Sequence, residues 1–557
     1  MADMCVAPDG QRPFSFGLEP RTLAFVATTL ACTPFALIIL GPFLVGLVGR
    51  CIGWVLLKKT EGRRSLLVGL MNDDNKKSAE QSSTASSSSE EWEKVQAPDA
   101  KATTTEKSSQ QDWDGIIGFF HPFCNAGGGG ERVLWAAIRA TQTRWPNAKC
   151  AVYTGDHEAT KEEILSRVKA RFNISLHPAT ITFIYLSKRH WVLPSTWPHF
   201  TLLGQSIGSM VLAWDAFSLL VPDVFMDTMG YAFAIGLCKF LFPRIPTGAY
   251  VHYPTISTDM LDSLDATAEA GEKGANAGKG AGNLGKVKRA YWQLFAQLYS
   301  WVGSSIDVVM TNSTWTQGHI KTLWGPYREE KDKGHPMAVV YPPVAVEELE
   351  QEVEVSEASE KKVRQPVIIY IAQFRPEKNH QLILQSFAQF LKTGTKAAQT
   401  AKLVLVGSVR DDGDSKRVYQ LRLLANELSI KDRVEFHLDA SWPEILDWLR
   451  KASVGVNGMW NEHFGIGVVE YQAAGLISVV HDSAGPKLDI VVPVDGLPTG
   501  FHATSADEFA AGYEKALSVE NPLEMRLRAR QSAKRFTEAE FAKKWIKEAE
   551  RLIALRK

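Results

Sequence analysis

The sequence predicts an α/β protein made of two doubly wound domains that face each other across a cleft, preceded by a membrane-spanning helix. Three observations support this prediction: β-rich runs alternate with helical stretches from residue 114, the alternation restarts after an acidic segment, and an uncharged apolar stretch lies between Arg21 and Arg50. Alternating strands and helices are typical of a parallel sheet covered by helices on both faces. At 557 residues the chain is also too long for one core.

Composition excludes several classes of function. The formal net charge is +0 and the pI is near 7.2, so nothing points to nucleic acid as a partner. The six cysteines are scattered without a CxxC pair. This argues against a disulfide framework or a zinc site, and it fits a reducing compartment.

Residues 22–57 are expected to form a transmembrane anchor. The uncharged part covers about 28 residues, which as a helix would be about 42 Å long, more than the ~30 Å hydrocarbon core of a bilayer. A cleaved signal peptide is the alternative, but the apolar run is too long and begins late. Basic residues cluster after the uncharged stretch, which makes residues 1–21 a lumenal tail and places everything after the anchor in the cytoplasm of a single-pass protein. Those basic residues are Arg50, Lys58, Lys59, Arg63 and Arg64, against Arg12 and Arg21 before the anchor.

Composition also divides the rest of the chain. Residues 58–113 are expected to form a disordered cytosolic tether, because most of this stretch is rich in Ser, Thr, Lys, Glu and Gln. Residues 263–287 are expected to be a flexible insertion, and the acidic residues 346–365 a linker. The amphipathic residues 536–557 are expected to form a helix that crosses back onto the first domain. The two Rossmann-like domains are then residues 114–345 and 366–535.

Strands and helices alternate in both domains. In the first domain the predicted strands are 115–120, 149–154 and 180–185, and the predicted helices are 131–144 and 161–171. In the second domain the predicted strands are 366–372, 402–407, 434–438 and 454–457, and the predicted helices are 380–392, 416–428 and 442–451. Ligands of such sheets bind at the carboxyl ends of the strands, so we expect the site in the cleft between the domains.

The stretch Asn461–Glu470 places two carboxylates, Glu462 and Glu470, around a glycine-containing turn. Gly465 and Gly467 allow backbone N–H groups to approach a ligand, and the helix expected just behind them favours an anion. Carboxylates that flank a diphosphate site would hold the hydroxyl groups at both ends of a sugar nucleotide. The alternative is a solvated acidic pair beside a helix, which would not require the surrounding sequence GMWNEHFGIG.

A glycine run from Gly127 to Gly130 follows the first predicted strand. Four consecutive glycines carry a large entropy cost, so a close backbone approach to a ligand explains them better than a plain turn. We therefore expect Gly128, Gly129 and Gly130 to line the donor side of the cleft. The alternative is a flexible surface loop, since the run is neither a dinucleotide fingerprint nor a Walker motif.

A basic pair follows the first predicted strand of the second domain. Arg375 and Lys378 emerge at the carboxyl end of that strand, where a diphosphate could be gripped by a guanidinium fork and an ammonium group. Two cations there would stabilise a departing nucleotide diphosphate. An exposed basic turn is the alternative.

Two further features have open interpretations. His252 follows an apolar run at an expected strand end, and it is either a structural histidine or a group that contacts the sugar or the reacting centre. Residues 209–243 are unusually apolar. A core helix and strand explain most of this stretch, and a surface helix dipping into the bilayer is the alternative.

Together these motifs resemble those of the retaining family 4 glycosyltransferases of the GT-B fold, over about residues 114–550. Glu462 and Glu470 match the spaced glutamate pair of that family, and Arg375 and Lys378 match its diphosphate grip. Within the family, the stretches that look like the α-1,2-mannosyltransferases of the dolichol pathway are 120–135, 222–231, 252–257 and 373–380.

The resemblance implies a donor, an acceptor and a location. The donor would be GDP-mannose, a co-substrate, and the acceptor a trimannosyl chitobiosyl diphosphodolichol that receives its fourth and fifth mannoses in α-1,2 linkage. The location would be the endoplasmic reticulum membrane, with the catalytic domains in the cytosol. Other early mannosyltransferases of that pathway would be candidate partners. The residues alone do not separate guanine from uracil or mannose from glucose.

The resemblance also implies residue roles. The first domain would bind the acceptor and the second the donor nucleotide, with Glu470 on the ribose, Glu462 on the mannose and His252 at the reacting centre. The diphosphate would be held by Arg375, Lys378 and the backbone of Gly465, Ile466, Gly467 and Val468. Contacts with the acceptor would come from His121, Asp223 and Asp227.

Retention in this family implies front-face attack with a diphosphate oxygen as the base, so we expect neither a covalent nucleophile nor a metal. Asp411–Asp414 is acidic, but it is expected to be a surface turn between a strand and a helix. Two alternatives stay open: a related enzyme with another nucleotide sugar or polyprenyl-linked acceptor, and an inactive scaffold subunit of a glycosylation complex.

Overall fold

The computed structural model describes residues 20–84, 113–263 and 282–556, and within them it contains two parallel sheets. The first, in the order β3-β2-β1-β4-β5-β6-β7, comprises β1 (Ile116–Phe120), β2 (Lys149–Thr154), β3 (Ile181–Tyr185), β4 (Val224–Asp227), β5 (Thr247–Val251), β6 (Val308–Thr311) and β7 (Ala338–Val339). The second, in the order β10-β9-β8-β11-β12-β13, comprises β8 (Gln365–Ile371), β9 (Lys402–Gly407), β10 (Val434–Leu438), β11 (Ala452–Asn457), β12 (Ile477–His481) and β13 (Gly500–Ala503).

Helices cover both faces of each sheet. The N-terminal helix and those of the first domain are α1 (Pro20–Thr84), α2 (Gly129–Arg144), α3 (Lys161–Phe172), α4 (Thr201–Leu219), α5 (Ala232–Leu241), α6 (Thr258–Asp262), α7 (Gly282–Ser304), α8 (Thr314–Trp324) and α9 (Glu329–Gly334). The remaining helices are α10 (Val346–Glu352), α11 (Glu357–Lys362), α12 (His380–Lys392), α13 (Lys396–Thr400), α14 (Asp412–Glu427), α15 (Trp442–Lys451), α16 (Ile466–Ala473), α17 (Ala506–Leu517), α18 (Pro522–Ala533) and α19 (Glu538–Ala554).

The strand order confirms the expected doubly wound architecture. Every residue of β1, β5, β11 and β12 is buried, as expected for Val- and Ile-rich strands covered on both faces. The order reverses between β1 and β4 and between β8 and β11, and these switch points are where doubly wound sheets bind ligands. Each sheet has an apolar core on either face.

The N-terminal helix is longer than the predicted anchor. Among the described residues, Leu40–Lys77 is the helix that is long and apolar enough to cross a membrane, judged by length and composition. It carries exposed apolar side chains such as Phe43 (66%) and Trp54 (62%). Residues 1–19, most of the expected lumenal tail, lie outside the described part of the chain.

The expected tether from residue 58 is wrong over its first half, because α1 continues to Thr84. Residues of α1 pack against the first domain: Arg63 donates to the carbonyl of Leu219 at 2.8 Å, and Leu56 and Met71 are buried. These tertiary contacts stabilise a helix that composition alone does not favour. Residues 85–112 lie outside the described part.

Two other boundaries change. The linker 346–365 is ordered as α10 and α11. Val346 and Leu349, which lie between its acidic residues, are fully buried in the hydrophobic core of the second domain. The insertion 263–287 ends earlier than expected, because α7 begins at Gly282, and residues 264–281 are outside the described ranges. Residues 209–243 form parts of α4 and α5 around the buried β4, which favours the core interpretation.

Helix α19 packs on the first domain, the position expected from its amphipathic pattern. Trp545 is 1% exposed, stacks on Phe119 of β1 with ring centroids 6.3 Å apart, and donates to the Thr141 hydroxyl at 3.2 Å. Glu538 pairs with Arg132 at 2.8 Å and also contacts Arg139. The last helix of the chain therefore joins the two domains.

Replacing Trp545 with Ala should lower the free energy of unfolding by about 3–5 kcal/mol, the usual cost of removing a buried large aromatic side chain. Chemical denaturation of the full chain in detergent measures this change. Lys547→Ala is the matched control, because Lys547 lies on the exposed face of the same helix. Equal effects of the two substitutions would contradict the proposed packing role of Trp545.

Candidate functional site

A cavity of about 290 Å³ lies between the two domains, at the carboxyl ends of strands from both sheets. From the first domain it is lined by Gly129, Gly130, His252, Asn312 and Pro342. From the second domain it is lined by Ile371, Ala372, Lys378, Asn457, Glu462, His463, Phe464, Gly465, Ile466, Gly467 and Tyr471. The two motifs of the second domain and the glycine run of the first therefore converge on one space.

Glu462 and Lys378 form an ion pair inside this cavity. Glu462 lies in the loop after β11, and Lys378 lies in the single 3₁₀ turn after β8. The Lys378 Nζ atom is 2.5 Å from Glu462 Oε2, and Asn457 Nδ2 donates to the same oxygen at 3.4 Å. Burial acts to raise the pKa of Glu462, but the Lys378 ammonium and these hydrogen bonds leave it below its ordinary value. Glu462 is therefore an ionised acceptor for hydroxyl groups.

The N-terminus of α16 faces the same space. Gly465 caps this helix with φ +106°, a left-handed conformation that glycine adopts without strain. The N–H groups of Ile466 and Gly467 are in the first turn, where a helix has no internal acceptor for them. Val468, which was expected to offer its amide, donates it to the Gly465 carbonyl at 2.9 Å and is buried. The amides of this turn that remain available to an anion are therefore those before Val468.

The glycine run approaches α16 across the cleft. A Cβ atom on Gly129 would lie 2.7 Å from Ile466 Cδ1, so a larger residue at this point would require the end of the Ile466 side chain to move. A Cβ atom on Gly130 would lie 3.6 Å from His252 Nε2, and this position faces the cavity. Gly128 is the N-cap of α2 and does not line the cavity, which corrects one of the three expected glycines.

His252 presents an unsatisfied nitrogen to the cavity. Its Nε2 atom is buried and has no hydrogen-bond partner among the described residues, while a hydrogen bond to the Thr228 backbone holds the ring. Burial lowers the pKa of His252 to about 4, so the imidazole is neutral at pH 7. Because the other ring nitrogen donates to the Thr228 carbonyl, Nε2 of the neutral ring can accept one hydrogen bond from a hydroxyl group of a bound sugar.

Glu470 does not line the cavity itself but lies behind it on α16. It is half-buried, and its carboxylate makes no hydrogen bond within the described residues. Burial raises the pKa of Glu470 to about 7, and the charge of Arg132 in the first domain offsets this only partly. A half-buried carboxylate without a partner among the described residues is unfavourable, which is consistent with a polar partner arriving with the ligand.

Arg375 is displaced from its expected position. Its guanidinium lies 3.7 Å from Glu377, outside the lining of the cavity, and its buried Nε atom has no partner among the described residues. Lys378 is therefore the cation of the expected pair that reaches the cavity in this structure.

The three expected acceptor contacts are all engaged in the protein interior. His121 is buried against the Thr228 hydroxyl at 2.8 Å, and Asp227 accepts the backbone N–H groups that begin α5, from Gly230 at 2.6 Å and Tyr231 at 2.8 Å. Burial raises the pKa of Asp227 to about 7. Both side chains hold the segment between β4 and α5 in place.

Asp223 lies at the opposite edge of the sheet from the cleft. It accepts the N–H of Ile116, the first residue of β1, at 2.8 Å, and it pairs with Arg64 at 2.5 Å and Arg556 at 2.6 Å. The amino end of β4 therefore carries Asp223, and contact with an acceptor in the cleft is geometrically excluded. The sequence gives no sign of this, since Arg64 and Arg556 are far away along the chain.

Sequence reasoning missed an aromatic cluster that joins the domains beside Glu462. The ring of His463 stacks on Tyr253 at 4.1 Å and on Trp315 at 5.4 Å between centroids, and both partners belong to the first domain. Asn461 donates to Asp259 of the first domain at 2.6 Å. The histidine beside Glu462 and the aromatic residue after His252 were the available signals.

Comparison with known proteins identifies the family. Residues 114–324 match the family described as "ALG11 mannosyltransferase N-terminus", and residues 352–536 match "Glycosyl transferases group 1". The GDP-Man:Man(3)GlcNAc(2)-PP-Dol alpha-1,2-mannosyltransferase of Neurospora crassa is 66% identical over 541 residues, which cover 96% of this chain and 97% of that protein. The chain belongs to this family of α-1,2-mannosyltransferases.

The enzyme also resembles more distant relatives. The protein of the same name from Homo sapiens is 44% identical over 457 residues, covering 81% of this chain and 90% of that protein. Sucrose-phosphate synthase from Thermosynechococcus elongatus has a similar fold, with a TM-score of 0.55 at 14% identity over 79% of this chain and 99% of that one. The glycosyltransferase assignment and the GT-B fold are thereby confirmed.

Removing the His463 ring should reduce kcat/KM of the enzyme for its donor by about 5- to 10-fold, since each aromatic pair contributes about 0.5–1.5 kcal/mol. His463→Phe should keep most of the activity, because burial lowers the pKa of His463 to about 4 and the stack needs no charge. The measurement is kcat and KM of both variants, with His437→Ala on the second domain's surface as control. Parental kinetics in His463→Ala, or equal losses in both variants, would contradict a positioning role.

Proposed function

We propose that the enzyme transfers mannose from GDP-mannose to a trimannosyl chitobiosyl diphosphodolichol acceptor in α-1,2 linkage. The names of its relatives support this choice of donor and acceptor. The observation that carries the proposal is the convergence of Lys378, Glu462, His252 and the α16 N-terminus on one interdomain cavity. These are the groups that a sugar diphosphate requires.

The donor is proposed to lie with its diphosphate between Lys378 and the first turn of α16. The ammonium group and the free amides of Ile466 and Gly467 supply the positive potential there. Arg375 is proposed to leave Glu377 and to add a second cation when the diphosphate arrives. Glu470, whose carboxylate has no partner in the described structure, is proposed to accept the ribose hydroxyl groups.

The transfer is proposed to occur on the face of the mannose that holds the diphosphate. The bond between the anomeric carbon and the diphosphate oxygen breaks, and a new bond forms between that carbon and the acceptor hydroxyl oxygen. The proton of that hydroxyl passes to the departing diphosphate oxygen, so configuration is retained. Glu462 and the neutral His252 ring are proposed to hold the sugar hydroxyls during this step.

Catalysis is proposed to need no metal ion. Lys378, which lines the cavity, is proposed to stabilise the negative charge that develops on the leaving group, and preorganised donors at such positions typically lower a barrier by about 2.7–4 kcal/mol each. The same groups would stabilise the GDP product.

The enzyme is proposed to be anchored in the endoplasmic reticulum membrane by α1, single-pass, with both domains in the cytosol. The apolar segment within Leu40–Lys77 and the basic residues from Lys58 onward support this orientation. Other early mannosyltransferases of the dolichol pathway are proposed partners, because they act on the same lipid-linked chain.

The decisive assay incubates the purified full chain with GDP-mannose, a synthetic trimannosyl lipid acceptor and EDTA. Mass spectrometry should show two successive mannose additions that survive chelation. Lys378→Met and Glu462→Gln should each lower kcat/KM by about 10²–10³-fold, the usual effect of removing one such group. Lys402→Met, which removes an exposed lysine of the same domain, should not.

Three results would count against this proposal. Transfer from UDP-glucose in place of GDP-mannose would overturn the donor, and complete loss of activity with EDTA would overturn the metal-free mechanism. Near-parental turnover of Lys378→Met or Glu462→Gln would remove that residue from the mechanism.

The donor KM should depend on pH through Glu470. Its pKa is about 7, so the carboxylate is present above this pH and becomes protonated, a poorer acceptor, below it. The KM for GDP-mannose should therefore rise about tenfold between pH 8 and pH 6, as the ionised fraction falls. Steady-state kinetics of Glu470→Gln, which cannot titrate, should lose this rise. An unchanged pH profile in that variant would exclude Glu470 as the titrating group.

A further inference from the structure

A second pocket, of about 460 Å³, lies where α1 packs against the first domain. It is at the amino ends of β1 and β4, because Asp223 in its wall precedes β4 and binds the N–H of Ile116. The cavity proposed for catalysis is at the carboxyl ends of the same strands. The two spaces are therefore on opposite edges of the first sheet, and the mannosyl transfer uses no residue of the second pocket.

Cations outnumber anions in this pocket. Its lining contains four cationic side chains, Lys58, Arg64, Arg244 and Arg556, and two carboxylates, Glu61 and Asp223. Four minus two leaves a net charge of +2.

The cations retain free hydrogen-bond donors. Asp223 accepts one contact from Arg64 and one from Arg556, but a guanidinium group has five N–H donors, so both arginines keep unused ones. Arg244 is exposed and makes no hydrogen bond or ion pair within the described residues. The free guanidinium of Arg244 therefore faces a pocket that already has excess positive charge.

The remaining lining is apolar and continues the surface of α1. Trp54 and Leu57 of α1 and Ile245 of the first domain line the pocket beside the arginines. Along α1 the exposed apolar side chains are concentrated between Leu40 and Leu57, a stretch in which Arg50 is the one charged residue, and Leu66 and Leu70 are exposed further along. The basic residues Lys58, Lys59, Arg63 and Arg64 follow Leu57 directly. Such a change from apolar to basic residues, with a tryptophan at the boundary, marks the headgroup level of a bilayer.

We propose that this pocket binds the phosphate-bearing headgroup of an anionic membrane phospholipid. Arg244, Arg64 and Arg556 would bind the phosphate oxygens, since guanidinium groups form forked hydrogen bonds with phosphate. Trp54, Leu57 and Ile245 would contact the start of the acyl chains. Such a lipid would contact both α1 and the first domain, and it would fix the orientation of the first domain relative to the membrane. This inference depends on the proposed membrane anchoring and is independent of the donor and acceptor.

The test reconstitutes the full chain in nanodiscs of neutral phosphatidylcholine, with or without about 20 mol % phosphatidylserine, a lipid that attracts juxtamembrane basic residues. A ligand that binds only the folded state raises the apparent Tm, and we expect a rise of about 3–6 °C with the anionic lipid. Arg244→Ala should lose more than half of this rise and keep the parental Tm in neutral nanodiscs, because Arg244 has no partner among the described residues of the protein. Arg244→Lys should keep part of it.

Arg422→Ala is the charge-matched control, since Arg422 lies over Phe436 on the second domain, and it should keep the full rise. About 10 mM inorganic phosphate, added to neutral nanodiscs, separates a lipid headgroup from a free phosphate ligand. We expect no rise with phosphate alone, and a rise equal to that with phosphatidylserine would overturn the lipid assignment.

Three results would overturn the proposed binding site: no rise in Tm with phosphatidylserine, a full rise in Arg244→Ala, or an equal loss of the rise in Arg422→Ala. The rate of mannose transfer to a water-soluble acceptor should be the same in the parent and in Arg244→Ala. This assay tests the mannosyltransferase proposal, whereas the change in Tm tests the lipid site, so a failure of either proposal can be recognised separately.

Discussion

The position of α19 is the constraint on which the site depends. This helix follows the second domain in the chain, yet its apolar face is buried in the core of the first domain through Trp545 and its neighbours. Glu538 at its start meets Arg132 and Arg139 of α2, the helix that follows the glycine run. Because α19 covalently continues the second domain, it keeps the carboxyl ends of the two sheets facing each other. In this arrangement Gly129 of the first domain lies next to Ile466 of the second.

Within the cleft, the electrostatics follow from how each charge is paired. Lys378 neutralises Glu462 before any ligand binds, so neither charge is buried alone, which would be costly. Glu470 has no such partner among the described residues, and burial raises its pKa to about 7. The two glutamates of the motif therefore differ in protonation, although they lie in one loop and the helix that follows it. Lys378 keeps the carboxylate of Glu462 ionised. The carboxyl group of Glu470 is partly protonated near pH 7, so its charge depends on what binds in the cleft.

Much of the fold was predictable because it depends on local patterns. The strands β1 to β3 and β8 to β11 and most of the helices between them were identified within a few residues, whereas β4, β6, β7, β12 and β13 were not assigned. All of these except the five-residue β12 have four residues or fewer, and β4 lies among apolar helices where periodicity cannot separate strand from helix. The extension of α1 was missed for a different reason, since the contacts that order it, such as Arg63 with Leu219, join residues far apart in sequence.

The residues of the candidate site also divide into those that a local pattern predicts and those that only contacts between distant residues bring together. Lys378, Glu462, His252 and the Gly465 turn were found because each follows a strand of a doubly wound sheet, and such positions meet at one edge. Asp223 was misplaced because it precedes its strand rather than following it. The stack of His463 on Tyr253 and Trp315 was not found, because no short motif connects residues from two domains.

The glycine run has a consequence for how the enzyme meets its ligand. The carboxylate of Glu131, on the first turn of α2, accepts backbone N–H groups from Ala126, Gly127 and Gly128, so the loop is tied down by its own helix. A chain of four glycines would otherwise lose much conformational freedom on binding. Here that ordering is complete before the substrate arrives. The loop is preorganised, so ligand binding in the cleft does not lose affinity to the conformational entropy of ordering this loop.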